Sequence, residues 1–134
     1  MIARKKRILV VEDDRDIAAL VKSRLETNGY DVEVTYNGED CLDVLGNDAF
    51  GADLVVLDVI LPKMSGYEVC AKIKSRKSNL IPVVMLTSRN HEIDERLGFL
   101  CKADAYIHKP LSREYLLPTI EKLLAHADGS AQNG

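Results

Sequence analysis

The sequence predicts a single α/β domain built around a parallel sheet. Five short apolar runs alternate with five segments of helical periodicity, and no internal repeat interrupts the series. This alternation is typical of parallel strands joined by right-handed helical crossovers. With 134 residues, the chain has the size of one domain with a substantial buried core.

The predicted strands span residues 8–11, 32–34, 54–57, 82–86 and 105–107. The third run is apolar throughout, as in strands that helices cover on both faces, whereas the second alternates with polar residues and indicates an edge strand. Five strands of this kind predict a flavodoxin-like, doubly wound sheet in the order 2-1-3-4-5, with five helices.

The predicted helices carry start and stop signals. An Asn-Gly pair lies at each end of the second strand, and Ser65 with Glu68 three residues later forms a capping box for the third helix. A fourth helix is predicted around residues 93–100. The last helix has an amphipathic stripe over residues 116–124, and Pro118 either lies inside this helix or marks its start.

Polar residues follow four of the predicted strands where the chain leaves the sheet. The carboxyl ends of neighbouring parallel strands open onto one crevice, where open α/β sheets place their chemistry. Each residue alone has an ordinary explanation as a helix cap, a turn residue or a surface lysine. Their convergence instead predicts a functional site made of Glu12, Asp13, Asp58, Thr87 and Lys109.

The charges of these side chains indicate a metal ion and a phosphoryl group. Three carboxylates and one lysine give −3 + 1 = −2 in a partly desolvated crevice, and such a cluster takes up protons or recruits a cation. Oxygen ligands with two or three carboxylates suit Mg²⁺. Asp58 would then be a nucleophile for phosphoryl transfer, and Thr87 and Lys109 would contact the phosphoryl oxygens.

These residues resemble the receiver domain of two-component response regulators. The resemblance runs from about Arg7 to Leu124 and includes LVVEDD at 9–14, LDVILPKMSG at 57–66, LTS at 86–88 and YIHKP at 106–110. It implies that Asp58 accepts a phosphoryl group from a phosphohistidine. The donor would be a sensor histidine kinase or a histidine phosphotransfer protein.

The resemblance also implies roles for individual residues. Mg²⁺ would be bound directly by Asp13 and Asp58, by Glu12 through water, and by the backbone carbonyl of Ile60. Thr87 and Tyr106 would change rotamer together on activation. Asp14 fits no site position and is assigned to the N-cap of the first helix.

The same resemblance implies the partners and the location. An unidentified downstream protein would bind the face built from the fourth helix, the fifth strand and the last helix, and phosphorylation would allow homodimerisation. The protein would act in the cytoplasm as a signalling domain that catalyses only its own phosphorylation and dephosphorylation.

We assign residues 1–127 to the receiver domain and residues 128–134 to a disordered tail or the start of a linker. This assignment leaves open whether the protein is a stand-alone receiver or a piece of a longer chain.

Composition argues against several other classes. A formal charge of −3 gives no electrostatic basis for binding nucleic acid, and no apolar run is long enough for a membrane span or a signal peptide. The spacing of Cys41, Cys70 and Cys101 favours reduced packing residues over a disulfide or zinc site.

Rival functions fit the motifs less well. A haloacid-dehalogenase-like phosphatase needs a second acid where Ile60 stands, and a flavodoxin-like electron carrier would not place acids after its first strand. The hypothesis of a receiver-like interaction module that acts without phosphorylation stays open.

The sequence departs from the receiver pattern at Lys102, where many receivers have glycine, and at Leu111, where phenylalanine is frequent.

Two local expectations concern the site's surroundings. Aiming Lys109 into the crevice favours a cis peptide bond before Pro110, since proline reduces the cost of the cis form to roughly 0.5–1 kcal/mol. Ile60 and Arg89 are expected to flank the path of an attacking water. Because neither is a general base, the phosphorylated form should persist for minutes or longer.

Overall fold

The computed structural model describes residues 4–47, 50–76, 81–87, 101–108 and 113–127. Five parallel strands form one sheet in the order β2-β1-β3-β4-β5, which confirms the predicted order. The strands are β1 (Arg7–Val11), β2 (Asp31–Thr35), β3 (Leu54–Asp58), β4 (Val83–Thr87) and β5 (Ala105–His108).

Four helices are described, and they lie where the sequence predicts them: α1 (Arg15–Thr27), α2 (Gly38–Asn47), α3 (Gly66–Lys74) and the C-terminal helix (Arg113–Ala127). Pro118 lies inside the C-terminal helix, so the first of the two alternatives is correct. The predicted fourth helix and the tail at 128–134 lie outside the described residues.

The helix caps follow from local side-chain chemistry. Asp14 is the N-cap of α1, and its Oδ1 accepts hydrogen bonds from the backbone N–H groups of Asp16 (3.0 Å) and Ile17 (3.1 Å). Ser65 caps α3 by accepting from the N–H of Glu68 at 3.3 Å. These caps fix where both helices begin, after the loops that follow the polar ends of β1 and β3.

The core consists of two apolar layers, one on each face of the sheet. One layer joins β1, β3 and β4 to α2 and α3, and the other joins the sheet to α1 and the C-terminal helix. Every residue of β3 and β4 is buried, whereas the edge strand β2 alternates as predicted. Leu20 shares the helical spacing of Val21 and Leu25 in α1, but unlike them it is 48% exposed.

Two aspartates fasten the opposite end of the sheet from the predicted site. Asp53 accepts from the guanidinium of Arg4 (3.0 and 3.2 Å) and from the N–H of Arg7 (2.8 Å). Asp104 accepts from Lys74 Nζ (2.6 Å) and from the N–H of Val83 (2.7 Å). These bonds hold the amino ends of β1, β3 and β4 in place.

Candidate functional site

Strand register brings Glu12, Asp58 and Thr87 to one edge of the sheet. Val11 pairs with Leu57 in the β1–β3 ladder, and Asp58 pairs with Leu86 in the β3–β4 ladder. Glu12 directly follows β1, while Asp58 and Thr87 are the last residues of β3 and β4. Polar residues at adjacent strand ends therefore lie together at the edge where open α/β sheets place their chemistry.

Three carboxylates converge in this crevice. One oxygen from each of Glu12, Asp13 and Asp58 lies within 4.8 Å of the other two. Glu12 is 1% and Asp58 5% exposed, whereas Asp13 lies at the surface. Negative charges at this separation and burial repel one another strongly, which makes the cluster a receptor for a cation.

The backbone of β1 and its following turn holds Glu12 in place. The N–H of Glu12 donates to the carbonyl of Thr35 at 3.1 Å, which continues the β1–β2 pairing by one residue. The N–H of Asp14 approaches Glu12 Oε2 at 3.4 Å. Glu12 is thus buried with its carboxylate at the start of α1, beside the exposed Asp13.

The loop between β3 and α3 orients Asp58. The N–H of Ile60 donates to Asp58 Oδ1 at 3.0 Å, and the N–H of Val59 donates to the carbonyl of Leu86 at 2.8 Å. The N–H of Gly66 closes the loop by donating to the carbonyl of Val59 at 2.8 Å. Ile60 is 51% exposed and follows Asp58 by two residues in the sequence.

Thr87 and Tyr106 lie on the two strands beyond Asp58. Thr87 is fully buried at the end of β4 and pairs with His108 of β5. Tyr106 lies two residues earlier on β5, is half-buried, and packs against the α2–α3 layer. The predicted contacts of Lys109, Pro110 and Arg89 lie outside the described residues.

Two side-chain contacts near the site have no signal in the sequence. The guanidinium of Arg15, in the first turn of α1, stacks over the ring of Tyr36 with 4.0 Å between its carbon and the ring centroid. The hydroxyl of Tyr106 lies 3.6 Å from the sulfur of Cys101. Both join residues from different elements, so periodicity and motif spacing could not reveal them.

The donor set fits Mg²⁺. The available ligands are carboxylate oxygens, together with the backbone of Ile60, which already lies against Asp58. Mg²⁺ prefers oxygen ligands and is usually held by one or two carboxylates plus water or phosphate. A site with no sulfur or imidazole donor among its described residues is unsuited to softer metals.

Comparison with known proteins agrees with this geometry. The family model described as the response regulator receiver domain matches residues 8–121. The chain therefore belongs to the response regulator receiver family, and its function is phosphorelay signalling. Receiver domains are signalling modules that bind Mg²⁺ at an acidic pocket, and this structure has an acidic cluster made of Glu12, Asp13 and Asp58.

Individual relatives support the same assignment. The chain is 37% identical over 126 residues to the alkaline phosphatase synthesis transcriptional regulatory protein PhoP of Bacillus subtilis, covering 94% of this chain and 51% of that protein. The chain thus spans about half the length of this relative.

Solved structures match over nearly their whole length. A CheY-like receiver domain protein from Methanospirillum hungatei superposes with a TM-score of 0.84 at 29% identity, covering 95% of this chain and 99% of that one. A structure described as the BeF3-activated DrrB receiver domain superposes with a TM-score of 0.74 at 38% identity, covering 90% of this chain and 97% of that one.

Among the described residues, no helix has the length and apolar character needed to cross a bilayer.

Proposed function

We propose that Asp58 is the phosphoryl acceptor of this receiver and that a phosphohistidine of a sensor kinase or a histidine phosphotransfer protein is the donor. The observation that carries the proposal is the convergence of carboxylate oxygens from Glu12, Asp13 and Asp58 within 4.8 Å. Asp58 lies at the centre of the sheet edge and is held by a backbone hydrogen bond from Ile60.

The reaction needs one bond to form and one to break. A carboxylate oxygen of Asp58 attacks the phosphorus atom, and the phosphorus–nitrogen bond of the donor breaks. The imidazole leaves with the bonding electron pair, and the product is an acyl phosphate on Asp58. The Ile60 N–H fixes the carboxylate through Oδ1, so the attacking group is oriented before the donor arrives.

Mg²⁺ would be held by Asp13 and Asp58, by Glu12 through water and by the carbonyl of Ile60, and it would neutralise charge on the phosphoryl oxygens. The buried hydroxyl of Thr87 would donate to one phosphoryl oxygen. Lys109 would pair with another.

Phosphorylation would then alter the surface to which a partner binds. Thr87 ends β4 and pairs with His108, two residues after Tyr106 on β5, so movement of Thr87 toward a phosphoryl oxygen would affect the packing of Tyr106. A downstream protein, or a second copy of the chain, would bind the face built from the predicted fourth helix, β5 and the C-terminal helix. We place the protein in the cytoplasm, where it would work through protein contacts and not through direct nucleic-acid binding.

The test is chemical phosphorylation with phosphoramidate, which carries the same phosphorus–nitrogen bond as phosphohistidine. Intact mass should show the addition of one phosphoryl group in Mg²⁺ and none in EDTA. Asp58→Asn should abolish labelling, whereas Asp16→Asn, an exposed acid in α1 outside the cluster, should label like the wild type. Labelling of Asp58→Asn, or full labelling in EDTA, would contradict the proposal.

A further inference from the structure

We propose that Cys101 is a positioning residue for Tyr106, and that Cys70 fixes Cys101 and so links Tyr106 to α3. The functional meaning of this link rests on the proposed function, in which Tyr106 reports phosphorylation of Asp58. The contacts themselves belong to the resting protein and can be tested without phosphorylation.

The first contact joins Cys101 to Tyr106. The sulfur of Cys101 and the hydroxyl oxygen of Tyr106 are 3.6 Å apart, a hydrogen-bonding distance for sulfur. Cys101 is 2% exposed, so its sulfur lies within the apolar layer of α2 and α3. Burial, and next the hydrogen bond to Cys101, raise the pKa of Tyr106, which keeps the phenol protonated.

The second contact joins Cys70 to Cys101. The fully buried thiol of Cys70 donates to the carbonyl oxygen of Cys101 at 3.2 Å. Lys102, the next residue, has φ +61°, so the chain turns sharply just after Cys101. The backbone of Cys101 is thereby held from α3, and its side chain holds Tyr106.

Helix α3 begins at the acidic site. Gly66, its first residue, donates its N–H to the carbonyl of Val59 and packs against the carbonyl of Asp58. Cys70 lies one helical turn further along α3. Displacement of the β3–α3 loop would therefore reach Tyr106 through α3 and two cysteines, in addition to any effect that passes through Thr87.

The test measures the side-chain rotamer populations of Tyr106 by NMR three-bond couplings in the resting full chain. Cys101→Ala removes the hydrogen-bonding group and should change the rotamer ratio about two- to tenfold, the range expected for loss of one weak hydrogen bond. Cys101→Ser keeps a hydroxyl there and should lie closer to the wild type than Cys101→Ala does. Cys70→Ala should shift the ratio in the same direction by a smaller factor.

The matched control is Cys41→Ala. Cys41 is a free, fully buried cysteine in the same apolar layer, under α2, so its truncation creates a comparable cavity. It should leave the Tyr106 ratio unchanged. An unchanged ratio in Cys101→Ala, equal effects of serine and alanine at residue 101, or an equal effect of Cys41→Ala would overturn the proposal.

Failure of this proposal is distinguishable from failure of the proposed function. The rotamer measurement uses unphosphorylated protein, whereas phosphoramidate labelling reports Asp58 alone. A folded Cys101→Ala variant should still be labelled in Mg²⁺, since Cys101 contributes no group to the acidic cluster.

Discussion

Gly66 packs its backbone directly against the carbonyl oxygen of Asp58. A Cβ added at Gly66 would overlap that oxygen and lie 2.7 Å from Val59 Cα, and both obstacles are backbone atoms that cannot rotate away. The absence of a side chain at residue 66 is therefore what allows α3 to begin against the end of β3. The position of Asp58, the proposed phosphoryl acceptor, depends on this contact.

Gly66→Ala should consequently damage both stability and the site. We expect a loss of about 1–3 kcal/mol in the free energy of unfolding, as for other overpacked positions, and slower phosphoramidate labelling of Asp58. Gly46→Ala is the control, because a Cβ added there in α2 would meet no described atom within 4 Å apart from its chain neighbours and its own helix backbone. It should stabilise the protein by about 0.5–1 kcal/mol in urea titrations. Normal labelling and stability of Gly66→Ala would show that the loop yields without cost.

Lys102 occupies a left-handed backbone conformation, with φ +61°, where the resemblance expects glycine. For a residue with a Cβ this conformation costs about 1–2 kcal/mol, part of which glycine would lose again to its larger unfolded-state entropy. Lys102→Gly should therefore raise the free energy of unfolding by about 0.5–1 kcal/mol. Lys72→Gly, in the exposed face of α3, should lower it by about 1 kcal/mol. Destabilisation by Lys102→Gly would mean that the lysine side chain contributes more than the turn costs.

Asp53 should make stability depend on acidic pH. Burial alone would raise its pKa, but hydrogen bonds from Arg4 and the Arg7 N–H, with the charges of Arg4 and Lys6, hold the pKa below its ordinary value. A depressed pKa contributes stability that is present above the unfolded value of about 3.9 and is lost as pH falls through the folded value.

Asp53→Asn should accordingly lower the free energy of unfolding at pH 7 by about 1–2 kcal/mol, and Tm should fall with it. The difference from the wild type should shrink as pH falls below about 4. Asp43→Asn, an exposed acid of α2, should show little difference at any pH. The measurement is a series of thermal melts followed by circular dichroism from pH 7 to pH 3. A difference in Tm between Asp53→Asn and the wild type that stays constant down to pH 3 would contradict this role of Asp53.

Ile60 should slow the loss of the phosphoryl group. Its side chain is 51% exposed two residues after Asp58, where it occupies space without offering a group that could activate water. Ile60→Asn should shorten the lifetime of phosphorylated protein, measured by intact mass after removal of phosphoramidate, and Arg89→Glu should add to the effect. Leu20→Asn is the control, since Leu20 is similarly exposed (48%) on α1. Equal decay of wild type and Ile60→Asn would remove Ile60 from the water path.

Much of the fold could be predicted because its determinants are local. Asp14 and Ser65 cap their helices through bonds to residues two or three positions away, and the fully apolar run in β3 required two covered faces. The acidic cluster was predictable for a related reason. Once the strand order is known, Glu12 and Asp58 must meet at one edge of the sheet.

The remaining features depend on packing between distant segments. Leu20 has the spacing of an apolar helix face together with Val21 and Leu25. Its exposure depends on how much of α1 the rest of the protein covers. The bond between Cys101 and Tyr106 depends on how far the chain turns at Lys102, which only the structure shows. Side-chain directions of this kind leave no periodic trace in the sequence.

The most direct test of the central claim is identification of the phosphorylated residue. The full chain is treated with phosphoramidate and Mg²⁺, reduced with borohydride, which converts an aspartyl phosphate to homoserine, and then digested for peptide mass spectrometry. We predict homoserine at residue 58 alone and none when EDTA replaces Mg²⁺. Homoserine at another aspartate, or an unmodified residue 58 in protein that carries a phosphoryl group, would contradict the assignment of Asp58 as the acceptor.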